Sequence, residues 1–311
     1  MKMLQIDFRN AFFDEFYNIS KKRDDIIFLS ADTDAEGLVK FRNHFPNRFI
    51  NSGVAEQNTI SAAAGLALSG KRVFVYSMVP FITMRCFEQI KTDVCSMDLP
   101  ITLIGLGTGF SFSYYGAAGH GVIDIALMRT LNDVSIFNPS DPVSTKWIAK
   151  EVCTNKTPNY VRLFKGAGKN IYRSNTNFSK GFKVLNSGDS EICLISTGLM
   201  TLTALKVVNN LKKLNVKVSL IDLVKINPIK HDSLKKIFTK HRIIITIEDN
   251  IYIGGIGSMV LELLNYYGIH KKVCRIAIEN EQCQKYGSID WLHKEYKLDE
   301  ESITKKILSF C

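Results

Sequence analysis

Long apolar runs are missing from this chain of 311 residues. The longest β-like stretches, such as "RIIITI" (242–247), are far too short to cross a bilayer. The opening residues, "MKMLQIDFRNAFFDEF", scatter acids among apolar side chains, so they do not read as a signal peptide. Cysteine patterning is missing too. The seven cysteines (Cys86, Cys95, Cys153, Cys193, Cys274, Cys283 and Cys311) include no CxxC pair and no histidine at ligand spacing. They read as free thiols in a reducing compartment, not as a disulfide frame or a zinc site. There is no basic stripe interleaved with aromatics. The net charge of +10 is spread over short pairs such as Lys21-Lys22, Lys212-Lys213 and Lys305-Lys306, the pattern of solvated helix faces and not of a nucleic-acid surface. Tandem repeats and low-complexity segments are absent. What remains, 46% apolar and 23% charged residues, describes a globular chain, expected in the cytoplasm and long enough for two domains.

Short β-rich runs alternate with longer helical segments. "DIIFLSAD" (25–32), "RVFVYS" (72–77), "PITLIGLG" (100–107), "VSIFNPSD" (134–141) and "YVRLF" (160–164) read as buried strands. "AEQNTISAAAGLALSG", "FITMRCFEQIKTDVCSM" and "GVIDIALMRTL" space their apolar residues as helices do. The stretch 165–182, rich in Gly, Ser, Asn and Lys, breaks the pattern like a linker. Alternation then restarts with strands at 191–198, 216–223, 242–249 and 273–278. Helices are expected at 200–214, 231–240, about 255–267 and in a final segment opened by Asp299 or Glu300. The expected fold is α/β: two domains, 1–165 and 188–311, each a mostly parallel sheet with helices on both faces, joined by a linker over 166–187.

In open parallel sheets, ligands gather at the carboxyl ends of strands near a crossover. Asp32, Glu56, Phe81, Arg85 and the loop carrying Gly107, Gly116, Gly119 and His120 all fall there. Each has an ordinary reading: Glu56 as a first-turn acid, Phe81 as core, His120 as a satisfied histidine. "GGIGS" (254–258) has the composition of a phosphate-cradling loop but lacks a full fingerprint.

Taken together, "NSGVAEQNTISAAAGLALSGKRVFVYS", "FITMRCFEQIKTDVC", "GHGVIDIALMRTLNDVSIFNPSDP", "ISTGLMTLTALKVVNNL" and "EDNIYIGGIGS" resemble the C-terminal half of transketolases. The 1-deoxyxylulose-5-phosphate synthases and 2-oxoacid dehydrogenase β subunits share the pattern. The resemblance runs from about Phe8 to the C-terminus and implies a pyrimidine-binding domain followed by a transketolase C-terminal domain. The cofactor it implies is thiamine diphosphate. The "GDG…N" motif that holds Mg²⁺ and the diphosphate is absent; the nearest triplet, "GDS" at 188–190, lies beyond the linker. The resemblance therefore implies the C-terminal subunit of a split transketolase, with no metal ligand of its own. Its partner would be an N-terminal subunit carrying the diphosphate domain and Mg²⁺, in an α2β2 heterotetramer acting on sugars or sugar phosphates.

The same resemblance distributes roles. Glu56 would hydrogen-bond N1′ of the aminopyrimidine, favouring the imino tautomer whose 4′-nitrogen takes the C2 proton; burial at an apolar boundary would help it share that proton. Phe81, with Arg85 four residues on, would stack on the ring. Asp32 would lie close to the cofactor. His120 and Arg162 would reach the substrate, Arg162 as a phosphate grip; its ordinary reading is a salt bridge. Where many relatives carry "G-x-D-G-P-T-H", this chain has "YYGAAGH", leaving Tyr114 or Tyr115 in place of an acid. The loop "LGTGFSFSYYG" also lacks a His or Arg for an acceptor phosphate, so an unphosphorylated or nucleotide-linked acceptor is expected. Ketol transfer is the leading reading. A pyruvate-decarboxylating enzyme of the deoxyxylulose-phosphate synthase or 2-oxoacid dehydrogenase β type, and a non-catalytic assembly or regulatory relative, are the alternatives.

Overall fold

A computed structural model describes residues 6–131, 133–187, 190–229, 231–279 and 283–310. Two sheets organise the chain. The first has seven strands in the order Lys225–Asn227, Ser135–Phe137, Asn159–Leu163, Ile101–Leu106, Arg72–Met78, Ile26–Ser30 and Phe49–Asn51. All its neighbours pair in parallel except Lys225–Asn227, which runs antiparallel to Ser135–Phe137. The second, five-stranded sheet is ordered Lys272–Ile278, Ile243–Ile251, Ile192–Thr197, Ser219–Leu223 and Phe182–Asn186, with only the last strand antiparallel. Most inner strands are buried along their whole length, as strands covered by helices on both faces must be.

One continuous apolar cluster lies between the sheets. It joins Ile60, Ala63, Ile90, Ile125 and Tyr160 of the first domain to Ile195, Phe238, Ile256 and Val260 of the second. The outer face of the first sheet packs on Phe12, Phe13 and Phe16 of the helix Phe8–Ser20 and on Ile148 and Val152 of Pro142–Thr154. The outer face of the second packs on Met200, Ala204 and Val207 of Met200–Lys213 and on Ile303 and Ile307 of Glu300–Phe310. Asp299, rather than Glu300, opens that last helix, accepting from the backbone N–H of Glu301 and Ser302 at 3.1 and 3.0 Å.

Three expected elements differ. The segment "FITMRCFEQIKTDVCSM" is not one helix but a short one, Val79–Thr83, then Phe87–Gln89 and a π-helical turn, Ile90–Cys95. The stretch 166–187 is more than a linker. Ala167–Gly168 pairs antiparallel with Ile6–Asp7, and Phe182–Asn186 is the edge strand of the second sheet. Finally, Lys225–Asn227 belongs by sequence to the second domain but completes the first domain's sheet. Gly188 and Asp189 of the "GDS" triplet lie outside the described residues.

Candidate functional site

The strand order reverses between Ile26–Ser30 and Arg72–Met78: the chain steps outward to Phe49–Asn51, then crosses back through the helix Glu56–Leu68. Glu56 is the first residue of that helix and is 4% exposed. Helix starts leave backbone N–H groups without intrahelical partners, yet this carboxylate turns away from them. Its Oε2 accepts from Arg85 Nη1 at 2.6 Å, and its Oε1 has one long contact, 3.4 Å from Ser77 Oγ. The Arg85 guanidinium lies 4.2 Å over the centre of the Phe81 ring, a cation–π distance. Phe81 is only half-buried, so the core-packing reading does not describe it. The short helix Val79–Thr83 and the turn after it thus deliver Phe81 and Arg85 to the buried acid as one group.

Asp32 ends the neighbouring strand's turn in a left-handed backbone conformation (φ 49°) and is exposed. Its carboxylate accepts from Asn51 Nδ2 at 3.3 Å, which ties two strand ends together; it touches neither Glu56 nor Phe81 by any described hydrogen bond. His120 is 3% exposed. Its Nδ1 lies 3.1 Å from the carbonyl oxygen of Cys283, and its ring meets Phe110 edge-on at 5.0 Å. Burial lowers its pKa below the ordinary value, against the opposing pull of the Cys283 and Ser113 backbones. Tyr114 and Tyr115 stand outward on the turn Ser113–Ala118, 74% and 66% exposed.

Arg162 corrects an expectation. It does not reach outward to a phosphate. Its guanidinium is fully buried, with Nε 2.6 Å from Asp124 Oδ2, Nη2 3.1 Å from Asp124 Oδ1 and 3.2 Å from the Gly121 carbonyl, and Nη1 3.7 Å from Asp249 Oδ1. Burial alone would lower its pKa, but Asp124 and Asp249 hold it above the ordinary value. The ordinary reading, a salt bridge, describes it, though inside the protein. Tyr160 and Asn250 add hydrogen bonds of 2.6 and 3.1 Å to the Asp124 carboxylate. The outward-facing cation at this strand end is Lys165, whose Nζ lies 4.5 Å over the Phe112 ring.

Comparison with known proteins closes the identification. A family model described as transketolase, pyrimidine binding domain, matches residues 4–169, and one described as transketolase, C-terminal domain, matches 182–303. The chain belongs to the transketolase family. A protein of Methanocaldococcus jannaschii, provisionally named a transketolase C-terminal section, is 32% identical over 305 residues, covering 96% of this chain and 95% of that one. One of the subunits of the apulose-4-phosphate transketolase of Phocaeicola vulgatus is 28% identical over 306 residues, covering 97% and 96%. A solved structure of a split-gene transketolase, described as an inactive β4 tetramer, superposes with a TM-score of 0.87 at 26% identity, over 98% of this chain and 97% of that one. Such matches support an enzyme subunit of the transketolase kind, similar in extent to the separate C-terminal chains of split enzymes.

Against this transketolase background, the "GGIGS" loop has a structural occupation. Glu248 is fully buried, and its Oε2 and Oε1 accept from the N–H groups of Ile256 and Gly257 at 2.8 and 2.9 Å. A Cβ on Gly255 would meet that carboxylate at 2.1 Å. The protein's own side chain fills the cradle where an external anion would sit. Burial pushes the Glu248 carboxyl up to about 7, although those two N–H groups pull the other way. Ser77, Asp124, Asp249, Asn250 and Lys165 escape sequence reasoning as site residues. A charged residue in a strand buried on both faces, as Arg162 is in "YVRLF", is the signal that paired acids lie nearby. Among the described residues, no group of three or more His, Cys, Asp or Glu is placed to hold a metal ion, and no helix is long and apolar enough to cross a membrane.

Proposed function

We propose that this chain is the pyrimidine-gripping subunit of a two-subunit, thiamine diphosphate-dependent transketolase, moving a two-carbon ketol unit from a ketose to an aldose. The observation that carries the reading is the convergence of Glu56, Phe81 and Arg85 at the switch point of the first sheet. The residues fit an aminopyrimidine. Glu56 Oε1 keeps lone-pair capacity beyond its long Ser77 contact, and Phe81 offers a half-buried aromatic face. Thiamine diphosphate, when bound, would supply a nucleophilic carbon for ketol transfer. Glu56 would hold a proton at the ring nitrogen, with Arg85 fixing the carboxylate's other oxygen. The cation and diphosphate would be held by a partner subunit, in an α2β2 assembly. The split-gene relative that is inactive as a β4 tetramer supports the dependence on a partner.

At the acceptor end, the exposed Tyr115 and Tyr114, on the turn that precedes His120, would meet the substrate. With Arg162 walled off, Lys165 would take a phosphate, and an unphosphorylated or nucleotide-linked acceptor would not need it. In this reading the first domain ends after Ala167–Gly168 and the second begins at the edge strand Phe182–Asn186. Co-expression with a chain carrying the "GDG…N" motif, followed by glycolaldehyde-transfer and pyruvate-decarboxylation assays, is the test. Transfer without carbon dioxide release is expected; carbon dioxide release from pyruvate would move the chain to the decarboxylating class. Ribose 5-phosphate turned over efficiently, with a KM raised by Lys165→Met, would overturn the unphosphorylated acceptor.

A further inference from the structure

His120 belongs to the first domain, yet the carbonyl facing its ring nitrogen comes from the second. The Cys283 carbonyl can only accept, so the ring nitrogen facing it at 3.1 Å, Nδ1, must carry the proton. The other nitrogen, Nε2, is buried and has no hydrogen-bond partner. Buried side-chain groups left unpaired are uncommon and call for a reason. Phe110, edge-on to the His120 ring, is itself stacked on Tyr296 at 5.2 Å with planes 17° apart and lies 5.9 Å from His293. The loop is pinned after His120 as well: Ile251 N–H donates to the Val122 carbonyl at 2.8 Å, and Asn250 Nδ2 to Asp124 Oδ1 at 3.1 Å. A backbone bridge between Gly109 and Gly121 closes its base.

We propose that the second domain is the positioning element for His120: Cys283 sets the Nδ1–H tautomer, Tyr296 and Asn250 hold the ring and its loop, and Nε2 is kept as an acceptor for a hydroxyl brought by the substrate. The proposal rests on the transketolase reading only for the identity of that hydroxyl. Buried and neutral, the ring is suited to accept from a hydroxyl rather than to grip an anion. Tyr296 and Asn250 act through His120 and are positioning residues.

The test is nitrogen-15 NMR of histidine-labelled full chain, alone and with its partner, alongside kinetics of the assembled enzyme. The expected result is a proton on Nδ1 and a free lone pair on Nε2 of His120. Tyr296→Ala should blur the tautomer and lower kcat/KM by about 10- to 100-fold, as small misplacements of reacting groups do. Tyr296→Phe, which keeps the stack, should restore both. Should Tyr296→Ala fail to fold, Asn250→Ser gives the same two readouts. A proton on Nε2 in the parent, or variants that leave tautomer and kinetics unchanged, would overturn the proposal. The expected tautomer in a complex without ketol transfer would support the positioning and overturn only the transketolase reading.

Discussion

Two buried glutamates, Glu56 in the first domain and Glu248 in the second, lie against helix starts and are used in opposite ways. Glu248 gives both oxygens to the first turn of Ile256–Tyr266 and has none left. Glu56 opens Glu56–Leu68 but ignores its N–H groups, giving one oxygen to Arg85 and leaving the other with a 3.4 Å contact. A glutamate beside a helix start is structural where both oxygens are engaged by that helix, as for Glu248 reaching it from the strand Ile243–Ile251, and open to chemistry where they are not, as for Glu56. Burial alone does not separate them, since both are buried.

The sharpest way to break this comparison is Glu56→Gln in the reconstituted complex. Ketol transfer is expected to fall by about 100- to 10,000-fold, the range of a lost general acid–base group, with the melting temperature nearly unchanged; retained activity would return the chain to the non-catalytic reading. Glu248→Ala should do the reverse. Two buried N–H groups lose their acceptor, and urea unfolding should show a loss of about 1–3 kcal/mol, while turnover per folded complex stays at the parent level. Third, pH acts on the buried acids of the second domain. Burial raises Glu248 to about 7 and Asp222 to about 6 in the folded chain, above unfolded values near about 4. The folded state therefore binds more protons across that interval. Their contribution to stability is complete below pH of about 4 and is lost as pH rises through about 6 and 7. Unfolding titrations of the parent and of Glu248→Gln should show the slope, and the variant should lose its upper part. Last, Arg85→Met removes the charged partner of a carboxylate that is only 4% exposed, so thermal melts should show a loss of about 1–3 kcal/mol, and cofactor affinity measured by calorimetry should drop.

Much of the fold is legible in the residues alone. Strands covered on both faces read as continuous apolar runs, which is why "DIIFLSAD", "PITLIGLG" and "EICLISTG" mark inner strands correctly. Helix Pro142–Thr154 is missed by the strand reading of 134–141, although its start carries a signal: Asp141 caps Ser144 N–H at 2.7 Å with proline at the first position. Long-range pairing is not legible. The three-residue strand Lys225–Asn227 has no periodicity to read, and its partner Ser135–Phe137 is distant in sequence. Around the site, residue order is enough to bring Glu56, Phe81 and Arg85 to one strand end. Arg162 is misplaced outward by sequence reasoning because spacing does not reveal that Asp124 and Asp249, from two domains, converge on it.

The strand Lys225–Asn227 has a consequence for how such a chain can be divided. A gene cut in the connecting stretch near residue 170 would leave the first fragment without the outer strand of its sheet and the second with an orphaned ribbon. Two halves that look like modules in the sequence are stitched by a return thread. The piece that can be traded between enzymes, or fused to a partner, is the whole chain.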